Sequence, residues 1–258
     1  MKSSTDFLPA LPKSFLLIGP PGSGKTTVSL QLPKPFILDC DDNLNGPVRF
    51  LQTNKRLNQD WFYDSPLFKA DGTACPRELQ FERAHELLLE AGNDPRIETI
   101  VISGLTTFAQ MAMLQTLKLQ GKKFGKAEDA KILDPQMTQP DWGAYASVLT
   151  KWIFWLKTAN KRIVIECHME IKEDELLKID ENVIALPGGL KYKLSGYFEE
   201  VWLLSVKTSG IGASLKQERT ITTVPDARSG KLGLKSASQL GTSFPADKVS
   251  ELQAIFSK

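Results

Sequence analysis

The segment that most constrains this chain is a glycine-rich run near its start, Gly19-Pro20-Pro21-Gly22-Ser23-Gly24-Lys25-Thr26. It matches the pattern G-x-x-x-x-G-K-[ST] at every fixed position, with a buried apolar run before it and a helical pattern after it. Glycines let successive backbone N–H groups turn inward toward phosphate oxygens, and the helix that follows adds its positive end. In this pattern the lysine contacts the β and γ phosphates, and the threonine hydroxyl binds Mg²⁺. The run therefore predicts a site for ATP with Mg²⁺, formed by Gly19, Pro20, Pro21, Gly22, Ser23, Gly24, Lys25, Thr26 and Thr27.

Short apolar runs alternate with helical patterns along the rest of the chain. Buried strands are predicted at 15–18, 36–38, 99–102, 162–167 and 201–206, with an edge strand at 219–224. Helices are predicted at 26–32, 77–91, 106–119, 142–159 and 246–256. Strands that alternate with helices are typical of an α/β fold, with a mostly parallel central sheet flanked by helices on both faces. We expect a single domain over residues 1–258, with mobile loops at about 118–141 and 169–193.

Composition limits the class of protein but does not identify its binding partner. The net charge of +2 neither demands nor excludes nucleic acid. The three cysteines lie far apart, which argues against a disulfide framework or a zinc site. No apolar run approaches the length of a membrane span, and the first residues lack the pattern of a signal peptide. We therefore expect a cytoplasmic protein without a membrane partner.

The third predicted strand ends in an unusual residue for a phosphate-loop protein. In many such enzymes this strand ends in an aspartate that helps to hold Mg²⁺. Here the residue after Ile102 is Ser103, whose hydroxyl can orient a metal-bound water but brings no charge. The strand end therefore predicts loose handling of Mg²⁺. Glu166, near the end of the fourth strand, receives no role from the sequence.

Three further segments resemble the strands of RecA-type recombinases. Phe36-Ile37-Leu38-Asp39-Cys40-Asp41 is similar to their strand-plus-acid segment, and residues 98–107 are similar to their third strand. Residues 162–168 are similar to the strand that ends in a polar sensor. The phosphate loop, Asp141-Trp142-Gly143 and Glu166-Cys167-His168 together resemble phage-encoded RecA-like ATPases, which are linked to single-strand annealing and often labelled AAA-family ATP-binding proteins. The resemblance covers residues 14–206 by the order of elements and implies a RecA-like ATPase domain.

This resemblance implies roles for particular acids and for one histidine. Asp41 falls at the position of the general base that activates the attacking water, although Asp39 and Asp42 compete for that role. Asp39 or Asp41 would also contact Mg²⁺ through water, and His168 falls at the position that senses the γ-phosphate. The alternative interpretations are a solvated acid in a turn and a polar residue at a strand end.

The resemblance also implies single-stranded DNA and neighbouring subunits as partners. The loop at 118–141 carries five lysines between 118 and 131, of which Lys122, Lys123 and Lys126 are the expected phosphate contacts. In the second loop, Lys191 and Lys193 flank Tyr192, which is able to stack on a base. Arg228 and Lys231 are expected to reach the ATP of an adjacent subunit in a ring or filament. A single-strand-binding protein is a further expected partner, and the location would be the host cytoplasm.

Two other functions remain open from the sequence. A small-molecule kinase is one alternative, but such kinases usually carry several arginines in a mobile lid, whereas 118–141 contains none. The other alternative is a nucleotide-dependent scaffold with weak hydrolysis, which the serine at position 103 favours.

Overall fold

The computed structural model describes residues 13–57, 60–122, 137–173, 180–209, 216–226, 229–236 and 243–245. The strands in these ranges are β1 (Ser14–Ile18), β2 (Pro35–Asp39), β3 (Phe62–Asp64), β4 (Thr99–Ser103), β5 (Arg162–Cys167), β6 (Met169–Glu173), β7 (Asp180–Ile184), β8 (Glu200–Ser209), β9 (Lys216–Thr222), β10 (Lys235–Ser236) and β11 (Ser243–Pro245). The helices are α1 (Lys25–Ser29), α2 (Asn45–Thr53), α3 (Gln80–Asn93), α4 (Leu105–Leu119) and α5 (Gln139–Lys157). None of the described helices is both long and apolar enough to cross a membrane.

The central sheet is mostly parallel and places the phosphate loop near its middle. Its strands run in the order β11-β9-β8-β1-β5-β4-β2-β3, and β10 also pairs with β8. The strands from β8 to β3 are parallel to one another, whereas β9, β10 and β11 pair antiparallel. In parallel sheets, ligands bind beyond the carboxyl ends of the strands. The loops after β1, β4 and β5 therefore meet at one edge of the sheet.

Two apolar layers cover the two faces of this sheet. On one face Leu16 and Ile102 pack in a cluster with Leu87, Phe108 and Ile153 from α3, α4 and α5. On the other face the alternate strand residues pack with Val28 and Leu51, from α1 and α2. Strands buried on both faces need apolar residues at nearly every position, which explains their continuous apolar runs. The predicted α/β fold with helices on both faces is confirmed.

Helix α5 begins three residues earlier than the sequence predicts. Thr138 precedes it, and its backbone N–H and hydroxyl both donate to the Asp141 carboxylate at 2.6 Å. This reciprocal capping box starts the helix at Gln139, with Pro140 in the first turn, where its missing N–H costs nothing. The Asp141-Trp142-Gly143 segment is therefore the first turn of a helix.

Other boundaries differ where the sequence pattern is weak. The stretch 43–76, which shows no clear period, contains α2 and β3. The predicted loop at 169–193 is instead largely an antiparallel hairpin of β6 and β7 followed by short 3₁₀ turns. Within the predicted loop at 118–141, the first residues complete α4 and the last ones begin α5. Residues 123–136 and the predicted helix at 246–256 lie outside the described ranges.

Candidate nucleotide site

The glycines of the phosphate loop are required by its backbone path. Gly22 and Gly24 have φ angles of 75° and 94°, in the left-handed region that side chains disfavour. A Cβ on Gly19 would lie 2.4 Å from the Leu204 carbonyl oxygen of β8. The Gly19 N–H also donates to the Cys167 carbonyl at 3.2 Å, which ties the loop to the end of β5. The loop is therefore held between β5 and β8 in the curled path that the motif predicts.

Lys25 lies inside this curl, with 7% of its surface exposed. Its Nζ donates to the carbonyl oxygens of Gly19 at 2.9 Å and Pro20 at 3.0 Å. Burial lowers the pKa of Lys25, and the negative charge of Glu166 acts in the opposite direction. The loop carbonyls thus position the ammonium group beside the space that the phosphates would enter.

A buried carboxylate connects the phosphate loop to the end of β4. Oε2 of Glu166 accepts hydrogen bonds from Oγ1 of Thr26 at 2.6 Å and from Oγ of Ser103 at 3.0 Å. Burial raises the pKa of Glu166, while the hydroxyls of Ser29 and Thr26 and the charge of Lys25 oppose that rise. The sequence alone assigns no role to Glu166 and places no charge on Ser103 itself. In the structure β5 nevertheless brings a carboxylate to the Ser103 hydroxyl.

The groups around Thr26 fit a divalent cation of the Mg²⁺ type. Mg²⁺ takes oxygen ligands, keeps several waters, and is usually held by one or two carboxylates together with substrate phosphates. Here a threonine hydroxyl, a serine hydroxyl and a carboxylate lie within hydrogen-bonding distance of one another. The donor set therefore suits Mg²⁺ bound to a nucleoside triphosphate, which the Thr26 hydroxyl would help to hold.

The three aspartates after β2 have different surroundings. The buried Asp39 accepts the backbone N–H groups of Asp41 at 3.3 Å and Asn43 at 2.9 Å, so its carboxylate stabilises the turn. Asp41 accepts a short hydrogen bond from the Thr107 hydroxyl and lines the pocket beside the phosphate loop. Asp39 and Asp42 are not among the described residues that line this pocket. Of the three, Asp41 is the one that lines the pocket beside the phosphate loop.

His168 follows β5 directly and lines the same pocket, half buried. Burial lowers the pKa of His168, and the charge of Lys25 lowers it further. Both effects favour the neutral imidazole, which has one donor nitrogen and one acceptor nitrogen. Its backbone carbonyl accepts the N–H of Ala185 at 2.9 Å, at the far end of the β6–β7 hairpin.

The pocket has a volume of about 680 Å³ and includes two residues that the sequence does not single out. Arg219 of β9 lies with its guanidinium 5.5 Å from the centre of the Phe50 ring, which belongs to α2. The Arg219 Cδ is 3.1 Å from where a Cβ of Gly24 would be, so the arginine lies against the phosphate loop. Neither residue belongs to a sequence motif. The two lie 169 positions apart, on β9 and α2, and only the fold brings them together.

Of the expected DNA-contacting and subunit-contacting residues, those that the structure describes are not among the residues that line this pocket. Lys122 forms an ion pair of 2.5 Å with Asp141, and Lys231 forms a short one with Glu181. Tyr192 is 54% exposed, with the Lys191 Nζ 5.3 Å from its ring centre. The remaining expected contacts, Lys123, Lys126 and Arg228, lie outside the described ranges.

Comparisons with known proteins identify the family. No curated protein matches the chain. Among solved structures, a KaiC-like protein, PH0186, from the hyperthermophilic archaeon Pyrococcus horikoshii OT3 is similar, with 12% identity and a TM-score of 0.40. That match covers 82% of this chain and 78% of the other. A family model described as an AAA domain, AAA_24, matches residues 11–229 and includes every residue that lines the pocket. The chain therefore belongs to this family of AAA domains and has the phosphate loop of a nucleoside triphosphatase.

Proposed function

We propose that this protein is a Mg²⁺-dependent ATPase of RecA-like type that acts on single-stranded DNA in phage recombination or annealing. The observation that carries the ATPase part is the composition of one pocket. Lys25 and Thr26 line it together with Asp41, Glu166 and His168, which come from the ends of β2 and β5. A cation, a hydroxyl able to bind a metal and acids around one pocket are the groups that phosphoryl transfer to water needs.

Four of the pocket residues have distinct parts in the proposed hydrolysis: Lys25, Thr26, Asp41 and His168. The ammonium of Lys25 and the inward N–H groups of the loop neutralise the β and γ phosphates. Bound Mg²⁺ would supply further charge neutralisation between these phosphates, held at the Thr26 hydroxyl. Asp41 accepts a proton from the water that attacks the γ-phosphate in line, and Thr107 holds its carboxylate in place. His168 contacts the γ-phosphate or the attacking water and so distinguishes ATP from ADP.

The position of His168 supports a link between ATP and a second ligand. The β6–β7 hairpin starts at the next residue, and Ala185 beyond it bonds back to the His168 carbonyl at 2.9 Å. The Thr106 hydroxyl of α4 donates to the Ala185 carbonyl at 3.1 Å, which joins the hairpin to the edge of the pocket. A movement of His168 with the γ-phosphate would therefore move the hairpin. The hairpin exposes Ile171 and Lys172, as a surface that contacts a partner would.

Single-stranded DNA is the partner that we propose for this surface. Tyr192 provides an exposed ring on which a base would stack, and aromatic stacking with lysine contacts is the usual mode for single strands. Lys122, Lys123 and Lys126 would contact the phosphates of the DNA. At Lys122 a DNA phosphate would compete with the carboxylate of Asp141. We also propose assembly into a ring or filament, in which Arg228 and Lys231 reach the ATP of the neighbouring subunit.

The test measures ATP hydrolysis and DNA binding together. Phosphate release is followed with and without a single-stranded oligonucleotide, and binding is followed by fluorescence anisotropy across a salt series with nucleotide present. We expect the oligonucleotide to stimulate hydrolysis. We expect the triple variant Lys122→Ala, Lys123→Ala, Lys126→Ala to bind more weakly, with a salt slope flatter by ~0.7 per lost contact.

A matched triple variant controls for the loss of charge. Lys55→Ala, Lys69→Ala and Lys151→Ala remove three exposed lysines from other parts of the chain and should leave the affinity and slope unchanged. If single strands neither bind nor stimulate hydrolysis, the DNA part of the proposal is wrong. Nucleotide binding without phosphate release would instead favour the scaffold, and transfer of phosphate to a small acceptor would favour the kinase.

A further inference from the structure

The carboxylate beside the end of β4 comes from a different strand from the one expected in a phosphate-loop protein. β4, which should end in an aspartate, ends in Ser103. The carboxylate within reach of the Thr26 hydroxyl belongs to Glu166 of β5, at 2.6 Å. Ser103 donates to the same carboxylate oxygen at 3.0 Å, so the serine and the glutamate form one polar unit.

The register of the parallel strands explains how β5 takes over this position. Ile102 of β4 lies opposite Ile165 of β5, so the next residues on each strand, Ser103 and Glu166, emerge side by side. Glu166 also lies opposite Leu17 of β1, one residue before the strand ends at Ile18. A glutamate at this register is thus adjacent both to the β4 end and to the helix that follows the phosphate loop. The glutamate side chain is longer than that of an aspartate, and its Oε2 reaches the Thr26 hydroxyl.

Within the part of the chain that the structure describes, the side chains that donate hydrogen bonds to the carboxylate of Glu166 are neutral. Only 2% of Glu166 is exposed, and its described donors include the neutral hydroxyls of Thr26 and Ser103. The nearby ammonium of Lys25 donates to the carbonyls of the loop instead. A buried charge without an opposite charge at bonding distance costs free energy. A divalent cation beside Thr26 would remove that cost.

We propose that Glu166, oriented by Ser103, is the acidic group that holds the nucleotide-bound Mg²⁺, in place of the aspartate expected at the end of β4. The proposal rests on the proposed nucleotide function and refines its metal site. It also predicts that the serine at position 103 does not weaken Mg²⁺ binding. An aspartate there would face the carboxylate of Glu166 at close range. Two like charges at that distance would repel each other.

The test is an exchange of the carboxylate between the two strands. Binding of a fluorescent ATP analogue is titrated against Mg²⁺ for the wild type, Glu166→Gln, Ser103→Asp and the double variant Ser103→Asp, Glu166→Ser. Mn²⁺ in the nucleotide complex is followed by electron paramagnetic resonance as a second readout. We expect Glu166→Gln to need roughly 10–100-fold more Mg²⁺ than the wild type, while binding without metal is retained. Ser103→Asp alone should bring no gain, and the double variant should recover most of the wild-type Mg²⁺ affinity.

Two comparisons make the outcome decisive. Glu200→Gln changes another buried glutamate, on β8, whose carboxylate accepts the Trp202 indole N–H at 2.7 Å, and it should leave the Mg²⁺ titration unchanged. If Glu166→Gln fails to fold, the double variant decides, because it restores a carboxylate to the β4 end. An unchanged Mg²⁺ requirement in Glu166→Gln, or a double variant no better than either single one, would overturn the proposal. A wild type that binds no nucleotide at any Mg²⁺ concentration would instead refute the proposed function itself.

Discussion

Oε2 of Glu166 accepts a hydrogen bond of 2.6 Å from Oγ1 of Thr26, although the two residues are 140 positions apart in the sequence. Thr26 is the last residue of the phosphate-loop motif and stands at the beginning of α1, while Glu166 lies on the neighbouring strand β5. The bond fixes the hydroxyl that would bind the metal. Glu166, which lies outside the phosphate-loop motif, therefore orients Thr26, which belongs to it.

Removing the Thr26 hydroxyl should uncouple nucleotide binding from the metal. Thr26→Val keeps the shape of the side chain but loses both the metal ligand and the donor to Glu166. We expect the Mg²⁺ requirement to rise by roughly 10–100-fold, as for lost contacts around other metal sites, while binding in the presence of a chelator changes little. A fluorescent ATP analogue titrated with and without Mg²⁺ measures both quantities. Thr26→Ser retains a hydroxyl and should remain close to the wild type; a valine variant that matched it would contradict the assignment.

Asp41 and Asp39 should affect different properties when they are replaced. Asp41→Asn should slow steady-state hydrolysis by ~10²–10⁴-fold with nucleotide binding retained, because an amide cannot accept the proton of the attacking water. Asp39→Ala should instead lower the free energy of unfolding by ~1–3 kcal/mol, because two backbone N–H groups lose their acceptor. Phosphate release and denaturant unfolding distinguish the two effects.

Asp42 provides the control for this pair, since it is exposed and is not among the described residues that line the pocket. Asp42→Asn should change neither rate nor stability appreciably. Full activity in Asp41→Asn would mean that the water is activated by another group.

The cap of α5 predicts a pH dependence at acid pH. Hydrogen bonds from Lys122 and then Thr138 lower the pKa of Asp141 from its ordinary 3.8 to about 2. Because the folded-state pKa lies below the unfolded one, the stabilisation is complete above pH 3.8 and is lost as the pH falls toward 2. The stability difference between wild type and Asp141→Asn should therefore be constant near neutral pH and shrink below about pH 4. Denaturant unfolding across pH measures it, and a difference that grew on acidification would contradict the sign.

The parts of the fold that the sequence predicted well are the ones buried on both faces. β4 and β5 are continuous apolar runs bounded by polar residues, so the chain itself marks their ends within a residue. The sequence pattern does not predict α2, because Gly46 and Pro47 fall in its first turn and Leu51 is its one buried residue. The β6 sequence alternates between apolar and charged residues, but it pairs within a small separate sheet rather than with the main one.

In the site, too, the sequence predicts the residues of local motifs but not those that the fold brings together from distant positions. The phosphate loop is a local motif whose residues contact one another, so the sequence identifies Lys25 and Thr26 directly. Glu166 and Arg219 enter the pocket through strand order and register, which a single sequence does not reveal. A polar residue at the carboxyl end of a buried strand is the one local signal that points to Glu166. The different surroundings of Asp39 and Asp41 follow from the hydrogen bonds of the turn, which the sequence does not show.

Nucleotide use by this pocket is tested most directly by ATP binding and phosphate release in the wild type and Lys25→Ala. The wild type should bind ATP and release phosphate only when Mg²⁺ is present. Lys25→Ala should lose productive binding, because the phosphates lose the ammonium that the loop carbonyls hold in place. Lys151→Ala removes an exposed lysine of α5 and should behave as the wild type. A Lys25→Ala variant that hydrolysed ATP at the wild-type rate would contradict the assignment of this pocket as the ATP site.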